Sequence, residues 1–395
     1  MKHILMVCYG GGHMKVLAPL YAELSGRYRV TVLALTSAGA YMRQQGIPSL
    51  GFRHFDFTGS AEIQAYGQEL AADIPDNEVV PSEETVAYLG ASFFDLVNHV
   101  GDESSAYEYY RQKGRAAFLP VASLRKIIEA LGIDAVITTN SPRAERAALI
   151  AAKEAGLPSV CVNDNLWIRG GVADVAEGDL ADRICVLTSN VRERLIIETG
   201  IDGEKVVVTG TPVFDRLKKL KRSVCSNDKP RVLLADQFLP EAHPFFDIKS
   251  KCPGVDEKIR IELNFLASEG IIDVCFRPHP SQSYNYQKFF SCSISPQTDD
   301  VHDRLSRTDV IVTAISTVGI EGKAMGLGLV SIEDTVYSIQ ESYEKAGLST
   351  GIRTPDELKA AIFKEYRKLD NGKQEKLYEG SANKNIRLVL ESLLG

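Results

Sequence analysis

The chain has 395 residues, longer than one hydrophobic core usually organises, so two domains are expected, each large enough for a core of its own. Its 44% hydrophobic and 25% charged residues match a globular protein, and no low-complexity tract argues for disorder. A formal net charge of −7 gives no broad basic field, which speaks against a general nucleic-acid binder.

In chain order, the apolar run Ile4 to Cys8 predicts a strand, and Gly10, Gly11, Gly12 and His13 follow at once. The glycines interrupt the run too early for the apolar core of a signal peptide. Seven cysteines occur without a CxxC pair. Cys8, Cys161, Cys185 and Cys275 sit in apolar runs, where a small buried thiol is the simple explanation. A reducing cytoplasm is therefore expected. No window approaches the roughly 20 apolar residues of a membrane span, so any membrane contact is expected to be peripheral.

Glycines permit positive φ and let a ligand approach the backbone, while a helix N-terminus presents unpaired N–H groups and partial positive charge. An anion fits such a turn. A dinucleotide fingerprint does not, because Lys15 occupies the third glycine position and the second strand ends "VLALTS" without a ribose-binding carboxylate. No GxxxxGK[ST] loop occurs either. His13 opens the predicted helix at the carboxyl end of a parallel strand, over the crevice where such sheets bind ligands. Two readings stay open for it: a general base kept neutral by the helix N-terminus, or a polar residue hydrogen-bonded at a helix start.

Further strands are predicted at Val30 to Leu35, Ala135 to Thr138, Ser159 to Val162 and Arg183 to Leu187, with helical stretches such as Ala144 to Ala155, stopped by Gly156, between them. This alternation predicts a doubly wound parallel α/β domain over 1–217. A long helical insertion at about 52–133 either shapes a pocket for a second substrate or covers the sheet. A basic, then Ser, Asn, Asp and Pro-containing stretch at 218–230 reads as a linker. The rhythm restarts with Val232 to Ala235, Val274 to Arg277, Val310 to Thr313 and Leu329 to Ile332, predicting a second α/β domain over 231–375. A terminal helical segment, 376–395, completes the chain.

In the second domain "DVCFRPHPSQ" sets Arg277 and His279 at a strand end, stiffened by Pro278 and Pro280. Both suit phosphate oxygens, or else pair with surface carboxylates. His243, His279 and His302 lack zinc-ligand spacing, and no metal is expected. In "TDVIVTAISTVGIEGKAMGLGLVSIE", Ser316 and Thr317 fall at a helix start, where hydroxyls and free N–H groups suit a diphosphate. Glu321 stands outside the capping-box spacing; it either accepts hydrogen bonds from a ribose diol or complements the helix dipole.

Taken together, the glycine turn with His13, "VVVTGTPVFDRL", "RPHP" and "DVIVTAISTVGIEGKAMG" resemble the GT-B glycosyltransferase superfamily over nearly the whole chain. The branch most similar contains UDP-N-acetylglucosamine 2-epimerases, CDP-glycerol polymer transferases and glycosyltransferases of bacterial surface polysaccharides. The resemblance implies an α/β fold of two Rossmann-like, doubly wound parallel-sheet domains facing across a cleft, with the last helix returning to the first domain. It implies a nucleotide-sugar donor, UDP-linked by expectation, on Arg277, His279, Ser316, Thr317, Glu321 and Gln237. His13 matches the position of the catalytic base in many inverting members.

The epimerase pattern carries acidic residues after two strands of the first domain. Here the corresponding turns, "TTNSPRAE" and "VCVNDNLW", offer Asn140, Ser141, Asn163 and Asp164. Asp164 is thus the catalytic candidate beside His13, and Asn140, Ser141 and Asn163 are candidates for the acceptor side. Metal-independent, inverting glycosyl transfer to a glycan, lipid-linked or small-molecule acceptor is the expected reaction, with no cofactor. A 2-epimerase, a CDP-glycerol or ribitol phosphotransferase and a non-catalytic nucleotide-sugar binder are the alternatives, and a homodimer is open.

Overall fold

In the computed structural model the described residues are 1–75, 79–164, 166–217, 220, 223, 229–243, 247–279, 284–296, 299–339, 341–370, 377 and 380–395. Internal packing divides the chain into two units, Met1–Val213 with Tyr378–Gly395, and Phe214–Leu377. Most of the expected linker at 218–230 lies outside the described residues.

The first unit contains strands β1 (His3–Tyr9), β2 (Arg29–Leu35), β3 (Ala135–Thr139), β4 (Ser159–Val162), β5 (Arg183–Val186) and β6 (Val206–Val208). They form one parallel sheet in the order β2-β1-β3-β4-β5-β6. Side chains alternate across a strand, and β1 shows the consequence. Leu5 and Val7 enter a core with Phe93, Phe118 and Leu124 of the insertion, and with Ala147 and Ala148. Ile4, Met6 and Cys8 enter the opposite core with Met14, Leu17 and Leu20. A strand buried on both faces has to read as an unbroken apolar run, and β1 does.

The insertion supplies helices Ala61–Ala71, Ser82–Val100, Glu103–Lys113 and Val121–Leu131. Its longest helix begins with Glu83 and Glu84 in the first turn and ends on Gly101 at φ 95°, as the helix dipole and a left-handed C-cap require. Its aromatic side chains share the core of the sheet, so the insertion covers that face. The opposite face receives the C-terminal helix Ala382–Leu394. Ile386 and Leu390 are fully buried there, and each such burial contributes roughly 1.5–3 kcal/mol. Arg387 donates to Glu23 at 2.7 Å, and Asn385 Nδ2 donates to the Thr209 carbonyl at 3.2 Å.

The second unit contains β7 (Arg231–Asp236), β8 (Asp273–Pro278), β9 (Ser293–Ile294), β10 (Val310–Thr313), β11 (Gly328–Ile332) and β12 (Thr350–Ile352), again one parallel sheet, ordered β12-β11-β10-β7-β8-β9. Val232, Leu234, Val312 and Val330 pack with Ile259 and Leu263 of the helix Val255–Ser268 and with Ile362. β6, β9 and β12 add strands beyond the sequence expectation. Cys8, Cys161, Cys185 and Cys275 are buried free thiols. Among the described residues, no helix is long and apolar enough to cross a membrane.

Both sheets reverse direction once. In the first, the chain runs from β1 outward to β2 and returns to β3 on the other side. In the second it runs from β7 to β8 and β9, then returns to β10. Ligands of open α/β sheets bind at the carboxyl ends of the strands flanking such a reversal.

Candidate active site

At the reversal of the first sheet, β1 ends at Tyr9 and the helix Gly11–Ser25 starts within two residues. Gly10 makes the joint with φ 86°, a conformation that favours glycine. Gly11 and Gly12 form the first turn of that helix, and His13 follows, half-buried. Its Nδ1 lies 2.9 Å from Oγ1 of Thr139, the last residue of β3. Because β1 and β3 are neighbours, this contact spans the two strands that flank the reversal.

Asp164 follows β4 and is half-buried. Burial pushes its carboxyl above the ordinary range, and the nearby His13 opposes that shift. Burial holds His13 below its ordinary 6.5, and the charge of Asp164 pulls it back up. Burial thus favours the uncharged form of both groups, and the imidazole in its neutral, accepting form. Asn140 and Asn163 directly follow β3 and β4; Asn140 Nδ2 donates to Asn163 Oδ1 at 3.0 Å. Both are buried, as is Ser141. The expected acceptor-side residues thus lie together, with the two amides tied to one another.

Glu145 was not legible as a site residue. It is the second residue of the helix Ala144–Glu154 and is wholly enclosed, on the face that also buries Ala144, Ala148 and Leu149. The Tyr9 amide donates to its Oε1 at 2.6 Å, and Thr139 Oγ1 lies 3.5 Å from the same oxygen. Burial pushes Glu145 up to about 7, against hydrogen bonds that favour its charged form. A carboxylate on the apolar stripe of an alanine-rich helix is the one sequence signal that marks it.

At the reversal of the second sheet, Ser316 caps the helix Thr317–Ala324, its side chain accepting from the Val318 amide. Thr313 Oγ1 donates to the Ala235 carbonyl at 3.0 Å and accepts from the Ser316 amide at 3.3 Å, tying the turn to β7. The Tyr343 hydroxyl donates to the Ser316 carbonyl at 2.7 Å. Gln237 follows β7 and is half-buried. These contacts fix a helix start whose positive dipole end suits an anion.

Arg277 differs from the expectation of a guanidinium open to phosphate. Its Nη1 donates to Ser295 Oγ at 2.9 Å and to the Pro296 carbonyl at 3.3 Å, and its Nη2 donates to the Asp299 carbonyl at 3.0 Å. A planar fork aimed at a loop holds that loop. His279 is exposed, and Pro280, expected to stiffen it, lies outside the described residues. Glu321 has a partner that spacing did not reveal: its Oε2 lies 3.1 Å from Nε2 of His302, in the short helix Val301–Ser306.

No family model matches the chain, and no curated protein matches it. Solved structures do. A UDP-GlcNAc 2-epimerase from Neisseria meningitidis, bound to UDP-GlcNAc, is similar with TM-score 0.59 and 15% identity, covering 99% of this chain and 100% of the other. The UDP-GlcNAc 2-epimerase of Methanocaldococcus jannaschii is similar with TM-score 0.57 and 12% identity, over 99% and 100%. The glycotransferase of kitacinnamycin is similar with TM-score 0.58 and 14% identity, over 99% of each chain. At these identities the likeness establishes the fold: α/β, of the GT-B type, with two Rossmann-like parallel-sheet units.

Proposed function

We propose that the chain is a nucleotide-sugar enzyme that transfers a sugar from a UDP-linked donor to an acceptor hydroxyl in glycan assembly. One observation carries the reading: at the reversal of the first sheet stands an imidazole, His13, kept neutral by burial and anchored through Nδ1 to Thr139. A neutral, fixed imidazole is suited to take a proton from a hydroxyl. That oxygen then attacks the anomeric carbon, the bond from this carbon to the diphosphate oxygen breaks, and the nucleoside diphosphate leaves with the electron pair. In the second unit, the positive end of the helix Thr317–Ala324, with the hydroxyls of Ser316 and Thr317 at its start, suits a nucleoside diphosphate. Glu321 would hold the ribose, while Arg277 holds the loop after β9. The solved relatives of like fold, one bound to UDP-GlcNAc, support a uridine donor.

A second reading, 2-epimerisation of UDP-GlcNAc, is favoured by Asp164 beside His13 and by the two epimerases of like fold. It asks for acid–base groups able to reach the sugar, and of the two carboxylates near His13 the fully enclosed Glu145 is not one. The deciding experiment incubates the protein with UDP-GlcNAc alone and with acceptor glycans, following sugars by NMR. A glycosylated acceptor supports transfer. An epimerised sugar from donor alone replaces transfer with the second reading, and saturable UDP-GlcNAc binding with no product in either arm removes both.

A further inference from the structure

Thr139 stands between two groups that compete for its single hydroxyl proton. Its Oγ1 lies 2.9 Å from His13 Nδ1 and 3.5 Å from Glu145 Oε1, and the residue is fully buried. An ionised carboxylate draws a hydroxyl proton more strongly than a neutral ring nitrogen does. With the proton turned toward Glu145, the face that Oγ1 presents to the imidazole is a lone pair. The contact is then a hydrogen bond only if Nδ1 carries the hydrogen. A neutral imidazole has one N–H, so Nε2 is left bare.

Glu145 is more than a fastener for β1. Binding the Tyr9 amide needs only one acceptor oxygen, which an amide side chain would supply equally well. Its second oxygen, Oε2, is buried without a hydrogen-bond partner, an arrangement that costs stability. The ionisable groups around it are Tyr9 of β1, Tyr88 of the helix Ser82–Val100, Arg143, Cys161 of β4, and His13 with Asp164 beyond Thr139. Among these only Arg143 carries a permanent positive charge, and its guanidinium lies over the Tyr9 ring, 5.1 Å from the centroid.

We infer that Glu145 is a positioning residue which, through Thr139, fixes His13 as the Nδ1–H tautomer and leaves Nε2 as the proton-accepting atom. This rests on the reading of His13 as the base, but the tautomer is measurable without any assay of turnover.

The test is a two-bond 15N–1H correlation spectrum of the full chain with 15N-labelled histidine at pH 8. The His13 signals are identified by their loss in His13→Ala. The wild type is expected to show the Nδ1–H pattern. Glu145→Gln, which removes the charge, and Thr139→Val, which removes the hydroxyl, are each expected to turn the majority form to Nε2–H, whereas Thr139→Ser retains Nδ1–H. An Nε2–H pattern in the wild type overturns the inference, as does an unchanged Nδ1–H pattern in folded Thr139→Val or Glu145→Gln. If Glu145→Gln fails to fold, Thr139→Val alone decides. An Nδ1–H imidazole that responds as described, in a protein inactive on every nucleotide sugar, leaves the inference standing and removes the proposed function instead.

Discussion

Nδ1 of His13 and Oγ1 of Thr139 lie 2.9 Å apart, joining the first helix of the chain to the end of β3 across the reversal of the first sheet. This contact orients the imidazole, and it leads to the first prediction. His13→Ala should lower kcat by about a hundredfold or more, the usual scale for a lost general base, and leave the dissociation constant of UDP unchanged in calorimetry. In the wild type, kcat/KM should fall on the acid side as the imidazole gains its proton, with a midpoint below 6.5 because burial lowers the His13 pKa. A variant with full kcat, or an acid limb centred above 6.5, would take His13 out of the base role.

Glu145 predicts a pH-dependent stability. Its carboxyl is raised from 4.5 to about 7 by burial, so between these values the folded chain binds more protons at this site than the unfolded chain. The stability contributed by the neutral form is present below about pH 4.5 and is lost as pH rises through about 7. The loss is on the order of 3 kcal/mol from the linkage of one pKa unit to 1.36 kcal/mol. Glu145→Gln cannot ionise. Its advantage in unfolding free energy over the wild type should therefore grow by about that amount between pH 4.5 and pH 8 in urea titrations. A pH-independent difference would place the ordinary carboxylate pKa at this position.

Much of this arrangement was legible in the sequence, for identifiable reasons. β1, β3 and β10 are buried on both faces, so Ile4 to Cys8, Ala135 to Thr138 and Val310 to Thr313 stand out as apolar runs. His13 was legible because it follows a glycine joint that only a strand-to-helix turn explains. β9 was not: Ser293 and Ile294 form two exposed residues at a sheet edge, too short for a periodic signal. Nor was Glu145 legible, because its partners, Tyr9 and Thr139, are brought to it by strand order, which spacing along the chain does not disclose. His302 stands in the sequence without a motif that ties it to Glu321. Its pairing with Glu321 depends on two helices meeting beside β10, and neither residue announces the other.

That pairing makes a graded prediction for nucleotide affinity. If Glu321 accepts the ribose hydroxyls, Glu321→Ala removes hydrogen bonds to a charged group and should weaken UDP binding by about 1.5–3 kcal/mol, roughly 10- to 150-fold. His302→Ala leaves the carboxylate in place but frees it from its 3.1 Å partner. The loss there should be that of one ordinary hydrogen bond, about 0.5–1.5 kcal/mol. Calorimetric titration of UDP into both variants checks the order. Equal losses would mean that His302 itself meets the nucleotide, and no loss in Glu321→Ala would return that residue to a partner of the helix dipole alone.

The last prediction concerns what holds β7, whose end carries Gln237. Arg260 is 1% exposed and donates to Asp236 Oδ2 at 2.7 Å, Asp236 Oδ1 at 3.0 Å, Asp256 at 3.1 Å and Glu257 at 3.2 Å. The Tyr286 hydroxyl donates to Asp236 at 2.7 Å, and the guanidinium lies 4.5 Å from the Tyr284 ring centroid. One buried cation thus balances carboxylates drawn from the end of β7 and the start of the helix Val255–Ser268. Removing it strands Asp236 and Asp256 as like charges out of water, the case in which a broken buried pair is costly. Arg260→Ala should therefore destabilise the second unit by about 3–5 kcal/mol in urea unfolding. Arg260→Lys keeps the charge but loses the planar fork that meets both oxygens of Asp236, so it should recover only part of that loss. Full recovery by lysine would show that charge alone matters. A loss below about 1 kcal/mol in Arg260→Ala, the scale of a surface pair, would mean that water reaches the cluster.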